Sequence, residues 1–182
     1  MPSPVGHLLF GFCIYLIVNK KFDIKSNWKE MLLYVFIATL SDLDELPNLF
    51  GIKINFLIHR TTFHSILFAF ILAIIFSKFL RIRKTNNLAI KFLIFFTLLF
   101  SHPVLDLFME DFKEPFGLML LWPFSNNYYI SPITIFPGVN HDNFLDLFSF
   151  HNLITVITEI IFFSIPIGII FMFRKYLLKR TS

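Results

Sequence analysis

The chain has 182 residues, of which 56% are hydrophobic, 19% aromatic and only 15% charged, and its mean hydropathy is +0.71. Soluble domains carry about a quarter charged residues, and disordered chains combine low hydrophobicity with high charge, so the composition excludes disorder and disfavours a soluble globule. A single cysteine excludes an intrachain disulfide framework and a cysteine-rich zinc knuckle. We therefore expect a small integral membrane protein.

Five apolar segments follow one another along the chain and predict helices. They cover residues 4–18, 28–41, 63–80, 88–108 and 153–173. About 20 apolar residues cross a membrane, so the last three segments are long enough, whereas the first two are short. We expect an all-α integral membrane bundle of about five transmembrane helices, forming a single domain over residues 1–182.

Basic residues are concentrated at three places that fall on one side of such a bundle. With five spans, the positive-inside rule makes that side cytoplasmic, so the N-terminus is expected outside and the C-terminus inside. A loop at about residues 109–151 is then extracytoplasmic, and the expected location is the bacterial cytoplasmic (inner) membrane. The three places hold Lys20, Lys21, Lys25 and Lys29; Lys78, Arg81, Arg83, Lys84 and Lys91; and Arg174, Lys175, Lys179 and Arg180.

The histidines and most acidic residues fall at the opposite ends of the segments. His102 and Asp106 are four residues apart on a helix, so they share a face and can grip one metal ion. Asp42 and Asp44 are two apart, so both carboxylates point the same way in an extended stretch and diverge in a helix. A His–Asp hydrogen-bonded pair and a polar helix terminus are the structural alternatives.

Residues 59–65 form the densest polar patch of the chain. His59 and His64 converge if His59 precedes the helix and His64 lies in its first turn. The guanidinium of Arg60 matches a phosphate or carboxylate, or else anchors at lipid headgroups. His7 has two equally good interpretations: it is a metal ligand, or it is a residue at the start of a helix that has no functional role.

The outer loop and the last segment add further candidates. Residues 117–125 are too few to span as a helix and predict an interfacial or re-entrant loop over the site, or a tryptophan anchor at the membrane surface. Glu159 either lines the cavity or sits protonated in the bundle. A possible second metal site, or a set of solvated loop residues, comprises His141, Asp142, Asp146 and His151.

These residues resemble the YdjM-like family of membrane-bound, metal-dependent hydrolases, also described as LexA-regulated. The resemblance implies a metal-dependent hydrolase at a membrane, and it does not imply a substrate. The matching pieces stand in the family's order and extend from residue 6 to 125: Gly6-His7-Leu8-Leu9, Asp42-Leu43-Asp44, His59-Arg60 with His64-Ser65, His102 with Asp106, and Gly117 with Leu121-Trp122-Pro123-Phe124-Ser125.

A more distant similarity is to zinc-dependent phospholipase C and the S1–P1 nucleases, which order their ligands as His, Asp, His, then His-x-x-x-Asp. His7, Asp42, His64, His102 and Asp106 match that order. Those enzymes use an N-terminal Trp as a ligand, whereas this chain begins Met-Pro. The similarity therefore does not extend to a full trinuclear cluster.

The expected function is hydrolysis of a phosphoester or ester of a lipid or lipid-linked substrate by metal-activated water at the extracytoplasmic face. One or two divalent cations are expected, Zn²⁺ first, with Mn²⁺ or Mg²⁺ as alternatives. Asp44 is the expected proton acceptor, and Arg60 is expected to stabilise developing negative charge. The predicted ligands are Asp42, His64, His102 and Asp106, followed by Asp44, His59 and His7.

Two alternatives to an enzyme stay open at this point. A small polytopic transporter or channel needs polar residues along an ion path, and a non-catalytic membrane partner needs no metal site. Membrane lipids and a small-molecule or lipid substrate are the expected partners. Nucleic acid is not expected, because a net charge of +4 without a basic face on a soluble fold does not indicate it.

Overall fold

The computed structural model describes residues 3–19, 24–44, 60–112, 114–140, 146 and 148–180. Within these residues the chain is all-helical, which confirms the predicted all-α class, and the extended pairings are isolated bridges rather than strands. The α-helices are α1 (Pro4–Val18), α2 (Ile24–Ala38), α3 (Ile66–Phe79), α4 (Leu88–Leu107) and α5 (Phe150–Arg180), and two 3-10 helices are η1 (Leu40–Asp44) and η2 (Thr62–His64).

Short polar side chains decide where three of the helices begin. Ser3, Ser65 and Asn87 each precede a helix, and the side-chain oxygen of each accepts a hydrogen bond from an N–H group of its first turn. Such caps satisfy donors that have no partner inside the helix. The third segment was predicted to begin at residue 63, and α3 begins later because Ser65 caps it.

The bundle is built around α1 and α4. Helix α1 packs against α2, α4 and α5, and α3 packs against α4. Tyr15 of α1 and Phe95 and Leu98 of α4 are fully buried in the main core. Gly11 allows α1 to approach α2 closely, because a Cβ at this position would lie 2.9 Å from the backbone oxygen of Tyr34. The tight α1–α2 contact therefore depends on glycine.

Among the described residues, two helices are long and apolar enough to cross a membrane. They are α4 over Leu88–Leu107 and α5 over Phe150–Tyr176. The apolar helices α1 and α3 have 15 and 14 residues, which gives about 21–23 Å of helix against a hydrocarbon core of about 30 Å. Helix α5 exposes large apolar side chains such as Ile161, Ile165 and Met172, as a lipid-facing helix does. The number of crossings and their orientation stay predictions.

The outer loop folds back over the start of α3. Backbone hydrogen bonds join Leu118 to Tyr129 in both directions, at 3.0 and 2.9 Å. Gly117 has a φ of 90°, and a Cβ there would lie 2.2 Å from the backbone oxygen of Tyr129. The N–H of Met119 donates to the Arg60 carbonyl at 2.9 Å, which attaches the loop to the segment before η2. The loop is irregular and lies beside η2, and its interfacial or re-entrant position in the membrane stays a prediction.

Candidate metal centre

The up-and-down course of the helices brings distant polar residues to one end of the bundle. Helices α1 and α3 begin at this end, and α2 and α4 finish there, so η1 and η2 also lie here. His7 of α1, His64 of η2 and His102 of α4 are all 0% exposed. Asp44 and Asp106 are 2% and 4% exposed. The predicted convergence of these residues is therefore present in the structure.

The carboxylate of Asp106 is the centre of the cluster. Its Oδ1 lies 3.6 Å from Nε2 of His7. Its Oδ2 lies 3.2 Å from Nε2 of His64 and 3.5 Å from Nε2 of His102. One carboxylate thus contacts imidazoles from α1, η2 and its own helix.

The backbone of α2 fixes the ring of His102. Nδ1 of His102 lies 3.0 Å from the carbonyl oxygen of Ala38, and since a carbonyl can only accept, Nδ1 carries the proton that is donated. Nε2 then faces Asp42 Oδ1 at 3.1 Å and also Asp106. Two carboxylates facing one ring nitrogen favour positive charge at this position, carried by a proton or by a bound cation.

The two aspartates of η1 contact two different histidines. Because η1 is helical, the carboxylates diverge, as expected for a helical spacing of two. Asp42 contacts His102, whereas Asp44 Oδ2 lies 3.5 Å from Nδ1 of His64. The Ser41 hydroxyl donates to the Phe63 carbonyl at 3.0 Å and ties η1 to η2. The short helix therefore places both carboxylates at the same centre from different sides.

Several buried polar atoms of the cluster make no hydrogen bond in the described part of the chain. They are both ring nitrogens of His7, both carboxylate oxygens of Asp42 and Asp106, and Nε2 of His102. A buried polar atom without a hydrogen bond lowers the free energy of unfolding by about 1–3 kcal/mol. A purely structural role therefore explains the cluster poorly. A divalent cation would satisfy these lone pairs together.

The spacing of the donor atoms fits a metal ion. Two sets, His7 with His102 and Asp106, and Asp42 with His64 and His102, each have ligand atoms within 4.8 Å of one another. Tetrahedral zinc with bonds near 2.0–2.1 Å separates its ligand atoms by about 3.3–3.5 Å. The measured contacts of 3.1–3.6 Å lie around this value. His102 belongs to both sets, which allows one ion or two neighbouring ions.

The histidines and aspartates of the cluster shift one another's pKa values. Burial by itself lowers the pKa of His64, but the adjacent carboxylates of Asp106 and Asp44 outweigh burial and raise the pKa to about 10. Burial by itself raises the pKa of Asp42, but the nearby His102 ring outweighs burial and lowers that pKa. The carboxylates thus favour positive charge at the centre of the cluster.

Arg60 is held by an aspartate that sequence reasoning missed. Nη1 of Arg60 lies 2.5 Å from Oδ2 of Asp111, and the same oxygen accepts from the N–H of Gly117 at 2.8 Å. Arg60 has a φ of 69°, and its side chain is 12% exposed. Nothing in the spacing of residues 60 and 111 indicated this pair, because it depends on how the loop folds back. The role of Arg60 in stabilising negative charge stays a prediction.

The predicted second metal site is not assembled by its described members. Nε2 of His151 lies 2.7 Å from the carbonyl oxygen of Gly138, and the carbonyl of Asp146 accepts from the Asn152 amide. Neither His151 nor Asp146 belongs to a described set of metal donors. His141 and Asp142, like His59 of the main site, lie outside the described residues, so these assignments stay predictions.

Glu159 connects α5 to the start of α1. Its Oε1 accepts from the N–H of Ser3 at 2.6 Å, and its Oε2 accepts from the Ser3 hydroxyl. Gly6 leaves room for the carboxylate, since a Cβ there would lie 3.0 Å from Cδ of Glu159. The carboxylate therefore secures the helix start that carries His7. The sequence pointed to Glu159 but not to Ser3, because nothing in the chain order links residues so far apart.

Comparison with known proteins gives one family. The model of the YdjM inner membrane protein family matches residues 1–177, a range that includes every residue of the cluster. No curated protein and no solved structure gives a significant match.

Proposed function

The chain belongs to the YdjM inner membrane protein family, and in that membrane setting we propose that it is a metal-dependent hydrolase. The observation that carries the proposal is the buried Asp106 carboxylate, which contacts three imidazoles from separate parts of the chain. Zn²⁺ is the first candidate because mixed imidazole and carboxylate ligands suit it, with Mn²⁺ or Mg²⁺ as alternatives. The proposed ligands are His7, Asp42, His64, His102 and Asp106.

The chain's own residues hold the ligands in place. When bound, a divalent cation supplies Lewis acidity toward an ester or phosphoester oxygen and lowers the pKa of water. The Ala38 carbonyl orients His102, and Asp44 contacts Nδ1 of His64, which supports a role for Asp44 in fixing that ring. The further role of Asp44 as a proton acceptor stays a prediction.

We propose a phosphoester or ester of a lipid or lipid-linked molecule as the substrate. The cluster lies at the end of an apolar bundle, and the loop beside η2 exposes large apolar side chains, among them Leu121 and Phe124. Phe124 is 83% exposed, as expected for a residue that meets an acyl chain or the membrane surface. The distribution of Lys and Arg supports an extracytoplasmic position for this end.

Metal analysis of the purified protein tests the proposal. The wild type is expected to hold one or two divalent ions per chain and to hydrolyse bis(p-nitrophenyl) phosphate or a phospholipid. A chelator should abolish hydrolysis and Zn²⁺ should restore it. A wild type without metal, or a His102→Ala variant with unchanged metal content, would overturn the metal centre. Full metal content without hydrolysis of any ester would overturn the enzyme alone.

A transporter is the main alternative, because Glu30 and Tyr34 are also buried polar residues of the bundle. However, Phe95, Leu98 and Leu99 of α4 are 0–2% exposed and form an apolar core on the helix that ends at the metal centre. This apolar stretch does not favour a polar path along the bundle. Ion flux in proteoliposomes that survives Asp106→Asn would support transport, and cellular function retained after loss of the ligands would support a non-catalytic role.

A further inference from the structure

A second polar site lies at the opposite end of the bundle. A groove of about 470 Å³ runs between the start of α2 and the turn that joins α3 to α4. This volume is within the range of small-ligand sites. Its lining residues are Asn27, Trp28, Lys29, Glu30, Leu33, Arg81 and Arg83.

The rim of the groove is positively charged. Lys29, Arg81 and Arg83 are all exposed, and Nη1 of Arg83 donates to the side-chain oxygen of Asn27, which links the turn to α2. Ammonium and guanidinium groups together form strong charge-assisted hydrogen bonds with phosphate oxygens. The rim therefore suits a phosphate group.

The wall of the groove carries a buried carboxylate. Glu30 is 8% exposed, and neither of its carboxylate oxygens makes a hydrogen bond of normal geometry, although Arg83 and Asn19 lie near it. The donors beside this buried carboxylate satisfy it only in part, so this side of the groove suits a ligand that donates hydrogen bonds and carries positive charge. A primary ammonium group has both properties.

The side chains of Trp28 and Lys29 favour a position of the groove at the depth of lipid headgroups. Trp28 is 47% exposed and Nζ of Lys29 lies 5.6 Å from the centre of its ring. Exposed tryptophan and lysine side chains are typical of the membrane–water interface. We propose that this groove binds the phosphoethanolamine headgroup of a membrane phospholipid, with the phosphate on the basic rim and the ammonium on Glu30.

Binding of short-chain lipids to the purified protein tests this proposal. Dioctanoyl phosphatidylethanolamine is expected to bind more tightly than dioctanoyl phosphatidylglycerol, which lacks the ammonium, and dioctanoyl phosphatidylcholine, whose methylated ammonium donates no hydrogen bond. Glu30→Gln should weaken phosphatidylethanolamine binding about tenfold and leave phosphatidylglycerol unchanged. Arg81→Gln with Arg83→Gln should weaken both lipids. The matched control is Lys84→Gln, an exposed basic residue of the same turn that does not line the groove.

Equal binding of phosphatidylethanolamine and phosphatidylcholine, or no effect of Glu30→Gln, would overturn the proposal. Free phosphoethanolamine that binds as tightly as the lipid would assign the groove to a soluble ligand and overturn the lipid source. Thermal unfolding measured on every variant shows that the bundle is still folded. Because the groove and the metal centre lie at opposite ends, the two proposals fail independently.

Discussion

His7 lies flat against His102, with ring centroids 3.7 Å apart and ring planes inclined by 14°. The two rings come from α1 and α4, so the stack fixes the relative height of these helices at the metal centre. Their Nε2 atoms both face Asp106. A residue at the beginning of the chain is therefore part of the same centre as the end of α4.

Asp106→Asn is expected to remove metal binding. The amide keeps the shape of the side chain but loses the negative charge that three imidazoles share, so the affinity for Zn²⁺ should fall at least about 100-fold. Zinc titration of the metal-free protein measures this. Glu110→Gln, an exposed acid shortly after α4, is the matched control and should bind zinc like the wild type.

His7→Ala and His151→Ala should separate the two predicted metal sites. His7 is fully buried and contacts Asp106, whereas His151 contacts the Gly138 carbonyl outside the cluster. His7→Ala is expected to lower metal content or affinity, and His151→Ala to leave both unchanged. Metal analysis of the two variants measures both effects. Metal loss in His151→Ala, with unchanged metal content in His7→Ala, would contradict the location of the centre.

Asp111→Asn should loosen the outer loop. The substitution breaks a short ion pair with Arg60 and weakens the acceptor of the Gly117 N–H. Hydrogen bonds to charged groups contribute about 1.5–3 kcal/mol, so a loss of about 2 kcal/mol in the free energy of unfolding is expected. Thermal unfolding and limited proteolysis of the loop measure the effect. Asn126→Ala, an exposed position of the same loop, should change neither.

Gly11→Ala should destabilise the bundle more than Gly168→Ala. A Cβ at residue 11 would lie 2.9 Å from the backbone of Tyr34, whereas a Cβ at residue 168 meets nothing within 4 Å. Pushing α1 away from α2 should lower the free energy of unfolding by about 1–3 kcal/mol. Alanine in place of glycine at an open helical position should leave that free energy unchanged or raise it slightly. Thermal unfolding of the pair in the same detergent tests this, and equal stability of both variants would contradict the close packing of α1 on α2.

The predicted orientation can be measured with fused reporters. Alkaline phosphatase, which is active only outside the cytoplasm, should be active when inserted near Asn126 in the outer loop and inactive at the C-terminus. The expectation follows from the clustering of Lys and Arg on the side of the C-terminus. The reverse pattern would place the metal centre in the cytoplasm and leave its geometry unchanged.

The sequence by itself determined the all-helical class and the approximate positions of the helices. Apolar runs bounded by polar residues predict helices because a long apolar stretch must bury its backbone groups in internal hydrogen bonds. The first segment matches α1 at both ends, since Pro4 suits a first turn and Asn19 ends the apolar run. The spacing of His102 and Asp106 likewise placed both on one helical face, because four residues make about one turn.

The tertiary structure decided which of the polar residues meet. The sequence could not show whether His7 is a ligand or a residue without a role at the start of a helix. The choice depends on its contact with His102, which only the packing of α1 on α4 creates. The sequence also did not predict two further contacts, the ion pair of Arg60 with Asp111 and the hydrogen bond of Ser3 with Glu159. Local spacing fixes neighbours within one helix, whereas contacts between helices depend on how the whole chain packs.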